Sequence, residues 1–445
     1  MLSYYLKMAY KSILSTPRIT LISVFAIGLG VAVATSIATI HHVFSRNPIP
    51  EKSDVLYNVR LDTWDPNSAF FGVGPDDPPK AVTWRDMTGL MKEDISLRKT
   101  GVGNGLGYVF PENRDLKPWQ TTIRLVHADF FTMFMVPFKY GTGWSSQEDK
   151  ELDLVVVLSE ECNDKLFGGQ DSVGKWVRIG SREYRVCGVL DTFDPTPMYY
   201  DPVNGISGPP REFFIPLDHV LDQTSGIQIT GNTDGWGNFS GLDGREIITV
   251  AEYNWIQYWV ELEPGKAQDY REYMSGYVSE LKKTGRHPRD ENNHVTPIMD
   301  WVTDRLGTVS NVTASMSIIS YLFLLVCAIN LMGLLLGKFL SRSSRIGVHR
   351  ALGASRSSIF LQHIMECEMV GVMGGAMGLL LTIPVLKGIS SMLPNIPGAL
   401  DPSVFRLDGQ MVVLSVLLAL GAGLISGLYP AWRACRISPA IQLKL

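Results

Sequence analysis

Four long stretches without a charged side chain constrain this chain more than any other feature. No Asp, Glu, Lys or Arg occurs between Arg18 and Arg46, or over Leu306–Gly337, Met369–Leu386 and Gly409–Trp432. A hydrocarbon core takes roughly 20 apolar helical residues to cross, so each stretch reads as a membrane span. The third is the shortest, and Glu368 and Lys387 at its ends can snorkel to the interfaces. Ala32-Val33-Ala34 looks like a leader-peptide cleavage site. The apolar run continues past it to Phe44, however, so the first span reads as an uncleaved anchor.

Basic residues set the direction of the spans. Lys7, Lys11 and Arg18 precede span one. Lys338, Arg342, Arg345, Arg350 and Arg356 lie between spans two and three, and Arg433, Arg436 and Lys444 follow span four. The 388–408 connection has only Arg406. All basic segments share one side if both termini are cytoplasmic, which puts the long middle section outside. Charge balance agrees: 1–46 and 306–445 hold 14 Lys+Arg and 4 Asp+Glu, leaving 26 against 40 in 47–305. An acidic middle excludes nucleic acid as a partner.

The expected organisation is a membrane protein with four transmembrane α-helices, one N-terminal and three C-terminal. A large α+β extracytoplasmic domain lies between the first and second. Residues 1–18 form an interfacial helix on membrane lipid, with Leu2, Tyr5, Leu6, Ala9, Tyr10, Ile13 and Leu14 on one face and Lys7 and Lys11 on the other. Span one covers 19–44, and the outer domain covers 45–305 with two subdomains. The C-terminal region 306–445 has spans at about 312–337, 369–387 and 409–432, with a cytoplasmic loop at 338–367. Small residues recur four apart at Gly371 and Gly375, Gly374 and Gly378, Gly423 and Gly427, and around Gly30. This spacing lets helix backbones approach in lipid, where no hydrophobic effect drives association.

In the outer domain, Leu154–Leu158 reads as a buried strand and Ser159 as the cap of a helix. Residues 176–179 and 184–186 read as a hairpin around Gly180-Ser181. A strand at 258–262 precedes a helix over 266–283, and 191–245 reads as a long irregular excursion. Gly169–Lys175 fits a phosphate-loop pattern, but Trp176 stands where Ser or Thr must bind magnesium, so its glycines are turn residues. Cys162 and Cys187 are the one candidate disulfide, if the domain lies in an oxidising compartment. His residues are scattered among non-ligand neighbours, and the many carboxylates form no acid/base pair. The chain reads as neither a metal site nor an enzyme, with no cofactor of its own. Glu366 and Glu368 open the third span, either hydrated or paired with Arg345 or Arg350.

The most specific pattern is C-terminal. After span two comes "SRSSRIGVHRALGASRSSIFLQHIMECEMVGVMGGAMG" (341–378), and span four ends in "SGLYPAWRACRISPAIQL" (426–443). Both resemble the permease domain of the MacB/FtsX family of ABC transporters. "VHADFFTMF" at 126–134 and "VVVLSEECNDKLFGGQDSVGKWVRI" resemble the family's periplasmic core domain. Ser344-Arg345 and His349 depart from the usual pattern. The resemblance implies a permease subunit in the bacterial inner (plasma) membrane, served by a separate cytoplasmic ABC ATPase dimer that binds the ATP and Mg. It implies a second permease copy or a sister permease, and motion passed through helix extensions at 41–46 and 301–310 to the periplasmic domain, termed mechanotransmission. It also implies efflux with a periplasmic adaptor and outer-membrane channel. The alternatives are a lipoprotein-releasing permease or an FtsX-like regulator of periplasmic enzymes. Gly347, Val348, Arg350, Ala351, Leu352, Gly353 and Ala354 are the implied ATPase-coupling loop, a small-residued cationic knob with Leu352 suited to a groove.

Overall fold

The computed structural model describes residues 2–67, 77–113, 115–193, 195, 197–205, 211–341, 346–348, 350, 352–392 and 409–436. The chain divides into two compact units. One joins Met1–Arg46 to the helices after Gly307, and the other holds Asn47–Leu306. Helix α1 covers Leu2–Ser15 and α2 covers Pro17–Ser45. Pro17 at the first helical position has no N–H to leave unsatisfied, which favours a new helix start there.

The outer unit has strands β1 (Leu56–Arg60), β2 (Val82–Thr83), β3 (Arg98–Phe110), β4 (Trp119–Val126), β5 (Phe138–Gly141), β6 (Val155–Leu158) and β7 (Trp176–Ile179). It continues with β8 (Arg182–Leu190), β9 (Phe213–Pro216), β10 (Gln228–Thr230), β11 (Asp234–Trp236), β12 (Glu252–Glu261) and β13 (His294–Pro297). Helices α3 (Trp84–Leu90), α4 (Asp129–Met133), α5 (Ser146–Glu151), α6 (Glu160–Phe167), α7 (Gly244–Thr249) and α8 (Ala267–Lys283) pack with them. The main strand path runs β13-β1-β12-β3-β4-β9-β6-β8-β5, with β2, β7, β10 and β11 pairing from its sides. Pairs β4–β9 and β6–β8 are parallel, and the remaining pairs are antiparallel.

One connected sheet runs through the outer unit, because the 13-residue β3 pairs with β12 and β4 and, further along, with β7 and β10. One expectation changes here. The 191–245 excursion contains β9, a fully buried strand between β4 and β6. The hairpin at 176–190 forms, with Ile179 opposite Arg182 and Gly180 at φ +61°.

The remaining helices are α9 (Ile298–Ser341), α10 (Arg356–Met392) and α11 (Gly409–Cys435). Four segments are long and apolar enough to cross a membrane: Pro17–Ser45, Asn311–Ser341, Arg356–Ile389 and Gly409–Cys435. Helix therefore occupies both ends of the expected 338–367 loop. Ser355 explains the early start of α10: its Oγ accepts the Ser358 N–H at 3.1 Å and its carbonyl accepts the Ile359 N–H at 3.2 Å.

Candidate functional site

Between α9 and α10, residues 346–348 and 350 are helical, and 349 lies outside the described residues. The Leu352 N–H donates to the Val348 carbonyl at 3.0 Å, and the Gly353 N–H to that of Arg350 at 3.1 Å. Gly353 then takes φ +99°, which costs a residue without a Cβ little. The turn has a root and a tip. Ile346 packs in the core shared by the membrane helices, with Ala354 against it and Gly347 buried. Val348 and Leu352 are 44% and 82% exposed, and Gly353 is exposed beside them. Arg350 is half-buried, and Ala351 lies outside the described residues.

The root is tied to three helices. The Tyr5 hydroxyl meets Ser358 Oγ at 2.9 Å, linking α1 to α10. Ser12 Oγ donates to Glu366 Oε1 at 2.7 Å, and Lys338 Nζ of α9 reaches that same oxygen at 2.5 Å. His363 Nδ1 lies 3.8 Å from Glu366 Oε2, with its ring 4.1 Å from that of Phe339. The ion partner of Glu366 is therefore Lys338, not Arg350; Arg345 lies outside the described residues. Lys338 and Glu366 are each 2% exposed at the side chain, and a carboxylate that deep needs a cation within bonding reach.

Small residues bring the helices together. A Cβ added at Gly378 would stand 3.0 Å from the Gly28 carbonyl oxygen, and one at Gly371 would stand 2.9 Å from that of Ala419. Gly375 faces the Ala419 methyl, Gly423 the Cys367 carbonyl and Gly427 the Cys367 side chain. Gly30 lies against Leu324 of α9. Gly378 thus serves α2–α10 contact, and Gly371, Gly375, Gly423 and Gly427 serve α10–α11.

Helix α9 is also held within the outer unit. Trp301, in its first turn, is fully buried between the Arg60 guanidinium of β1 at 4.4 Å and that of Arg305 at 4.6 Å. Asp77 accepts from Arg60 at 2.9 Å and sits 3.6 Å from Arg305. A tryptophan face between two cations is a strong attachment when desolvated. Sequence reasoning counted Lys338 only as loop charge and missed Trp301. Arg60, Asp77 and Trp301 are too far apart in sequence for any local pattern to join them.

Cys162 and Cys187 are both free, which corrects the candidate disulfide. Cys162 is buried in the core on α6, while the Cys187 thiol on β8 donates to the Val156 carbonyl at 3.4 Å. Burial pushes the Cys187 thiol up to about 12 and the Cys162 thiol well above its ordinary value, so neither is a nucleophile. Asp86 is buried with His287 Nε2 at 3.1 Å and Arg286 Nη2 at 3.0 Å. Burial opposes its charge, but the His287 hydrogen bond, attraction from His287 and Arg286, and the Thr83 hydroxyl hold its carboxyl below the usual range. Among the described residues no cluster of three or more His, Cys, Asp or Glu could hold a metal ion. Gly168, Gly169 and Gly174 take φ of +69°, +79° and +85°, as turn residues do.

Residues 20–270 match the family described as MacB-like periplasmic core domain, and 317–439 match the FtsX-like permease C-terminal family. The chain is 25% identical over 334 residues to "Macrolide export ATP-binding/permease protein MacB" of Bdellovibrio bacteriovorus, covering 74% of this chain and 44% of that one. To the protein of the same name from Shigella boydii it is 21% identical over 443 residues, covering 98% and 60%. The chain thus spans about half the length of these curated relatives. Among solved structures, the periplasmic region of MacB from Actinobacillus actinomycetemcomitans aligns with TM-score 0.36 and 14% identity, over 57% of this chain and 94% of that one.

Proposed function

Given that the chain belongs to the MacB-like, FtsX-type permease family, we propose that it is the transmembrane subunit of an ABC transporter worked by a separate cytoplasmic ATPase dimer. The observation that carries this is the 346–354 turn, with its root in the helix core and an apolar tip, Leu352, 82% exposed. A large aliphatic side chain presented on a supported turn suits a groove in a partner protein. ATP and magnesium belong to that partner. Both termini and the turn face the cytoplasm, following the basic residues. Two copies, or this chain with a sister permease, serve the two ATPase subunits.

The spans carry almost no charge, so they offer little polar surface for cargo crossing between them. The work falls to the outer domain, moved through α9. Relatives named for macrolide export support efflux, with a periplasmic adaptor and an outer-membrane channel completing the route. A lipoprotein cargo would use the same parts.

Co-purification tests the reading. A separate ABC ATPase should copurify with the wild-type chain, and Leu352→Asp should lower its yield at least tenfold, a shift of about 1.4 kcal/mol. Equal yields from the two chains would contradict it. Site-directed labelling should find the exposed residue 191 outside and residues 10 and 350 inside.

A further inference from the structure

We propose that Lys338 and Glu366 form the joint through which movement of the coupling turn reaches α9, making both positioning residues for transport. The inference rests on ATPase docking at Leu352. Its first support is connectivity. Helix α10 starts directly after the turn at its Ser355 cap, so Glu366 rides on the same rigid arm. Lys338 rides on α9, whose other end is held at Trp301 between Arg60 and Arg305.

The second support is the nature of the contact. Elsewhere α9 meets the bundle through a hydrogen bond between Thr313 Oγ1 and His41 Nδ1 of α2 at 3.2 Å and, along the rest of the span, through Leu324, Ala328, Leu331 and Leu335. Such aliphatic contacts are non-directional, so they resist separation of helices but define register along the axis poorly. The Lys338–Glu366 pair, at 2.5 Å with Ser12 Oγ on the same carboxylate oxygen, fixes one register. The third support is cost. Two charges taken out of water and lipid stabilise a fold no better than a well-packed apolar pair, and often worse. Ionisable residues retained among apolar spans mark function more often than stability. A hydrogen-bonded pair that locks turn, α1 and α9 together makes them move as one body rather than slide.

The test uses the full permease with its ABC ATPase in lipid nanodiscs, replacing native cysteines and placing spin labels at exposed positions 357 on α10 and 304 on α9. In the otherwise unmodified pair, both labels should respond when the ATPase is trapped with ADP and vanadate after ATP hydrolysis. In Glu366→Gln and in Lys338→Met, ATPase yield should stay within twofold and the label at 357 should still respond. The response at 304 should fall at least fivefold. Exchanging the charges, Lys338→Glu with Glu366→Lys, should restore it to within twofold. An intact response at 304 in both single variants overturns the joint. So does a loss that the exchange fails to rescue, which would assign the pair a purely structural role. Absence of ATPase binding in the wild-type chain would instead remove the docking reading, and the joint with it.

Discussion

The outer domain and the membrane helices bury their polar groups by the same rule but build their cores from opposite materials. The outer core is made of large side chains: Trp259, Tyr258, Tyr184, Phe213 and Tyr270 are fully buried. Its deepest charges form networks, as where Asp201 accepts from Arg124, Asn104 and Gln257. The helix core is made of Ile27, Val31, Ala34 and Ala419, with glycine backbones in contact around them. Water outside the first unit rewards removal of apolar area. Lipid outside the second does not, so close approach and a rare ion pair must hold it. Size changes should therefore hurt in opposite directions in the two units.

Trp259→Ala should break the outer unit most, by about 4 kcal/mol, because truncating a buried aromatic loses its burial and leaves a cavity. Denaturant unfolding followed by tryptophan fluorescence reads this out; a loss under 1 kcal/mol would mean the sheet core is not where stability lies. Asp86→Asn should cost about 3 kcal/mol, since it removes the buried carboxylate that pairs with His287 and, alongside Glu252, with Arg286. The same residue sets an acid limit. Its folded pKa lies below that of an ordinary aspartate, so its contribution is present above the ordinary value and fades as pH falls through the folded one. Acid titration of the wild-type and Asp86→Asn chains should show the difference between them shrinking below about pH 4.

Gly378→Ile sharpens the contrast from the other side. Adding bulk where a Cβ would meet the Gly28 carbonyl should cost about 2 kcal/mol in helix packing and leave outer-domain unfolding unchanged. Equal damage to both units would mean they unfold as one. Leu352→Asp should move stability of either unit by less than about 0.5 kcal/mol, because an exposed tip has no packing to lose. Its whole effect should be on partner binding.

The same contrast governs how much of the molecule could be read in advance. The spans were legible because twenty uncharged residues admit few other readings. The 176–190 hairpin and the helix over 267–283 were legible because turn residues and periodicity are local. Strand β9 was not, since Phe213–Pro216 is only four residues long and owes its identity to β4 and β6 on either side. Nor was β3, whose glycines argue against a strand until the structure places the Trp255 ring 2.9 Å from where a Cβ of Gly103 would stand. The motif marked the turn whose tip, Leu352, is exposed. Its support, Lys338 with Glu366 and Ser12, depends on three helices meeting and has no signature along the chain.

Hydrogen exchange on the wild-type chain, assembled with its ATPase in nanodiscs, tests most directly whether the outer domain is driven from the coupling turn. Exchange should change on trapping the ATPase with ADP and vanadate both at 346–360 and in the outer-domain peptides around Trp301 and β13, and Leu352→Asp should abolish both changes. An ATPase that binds and hydrolyses normally while the outer-domain peptides show no nucleotide-dependent change would contradict the account.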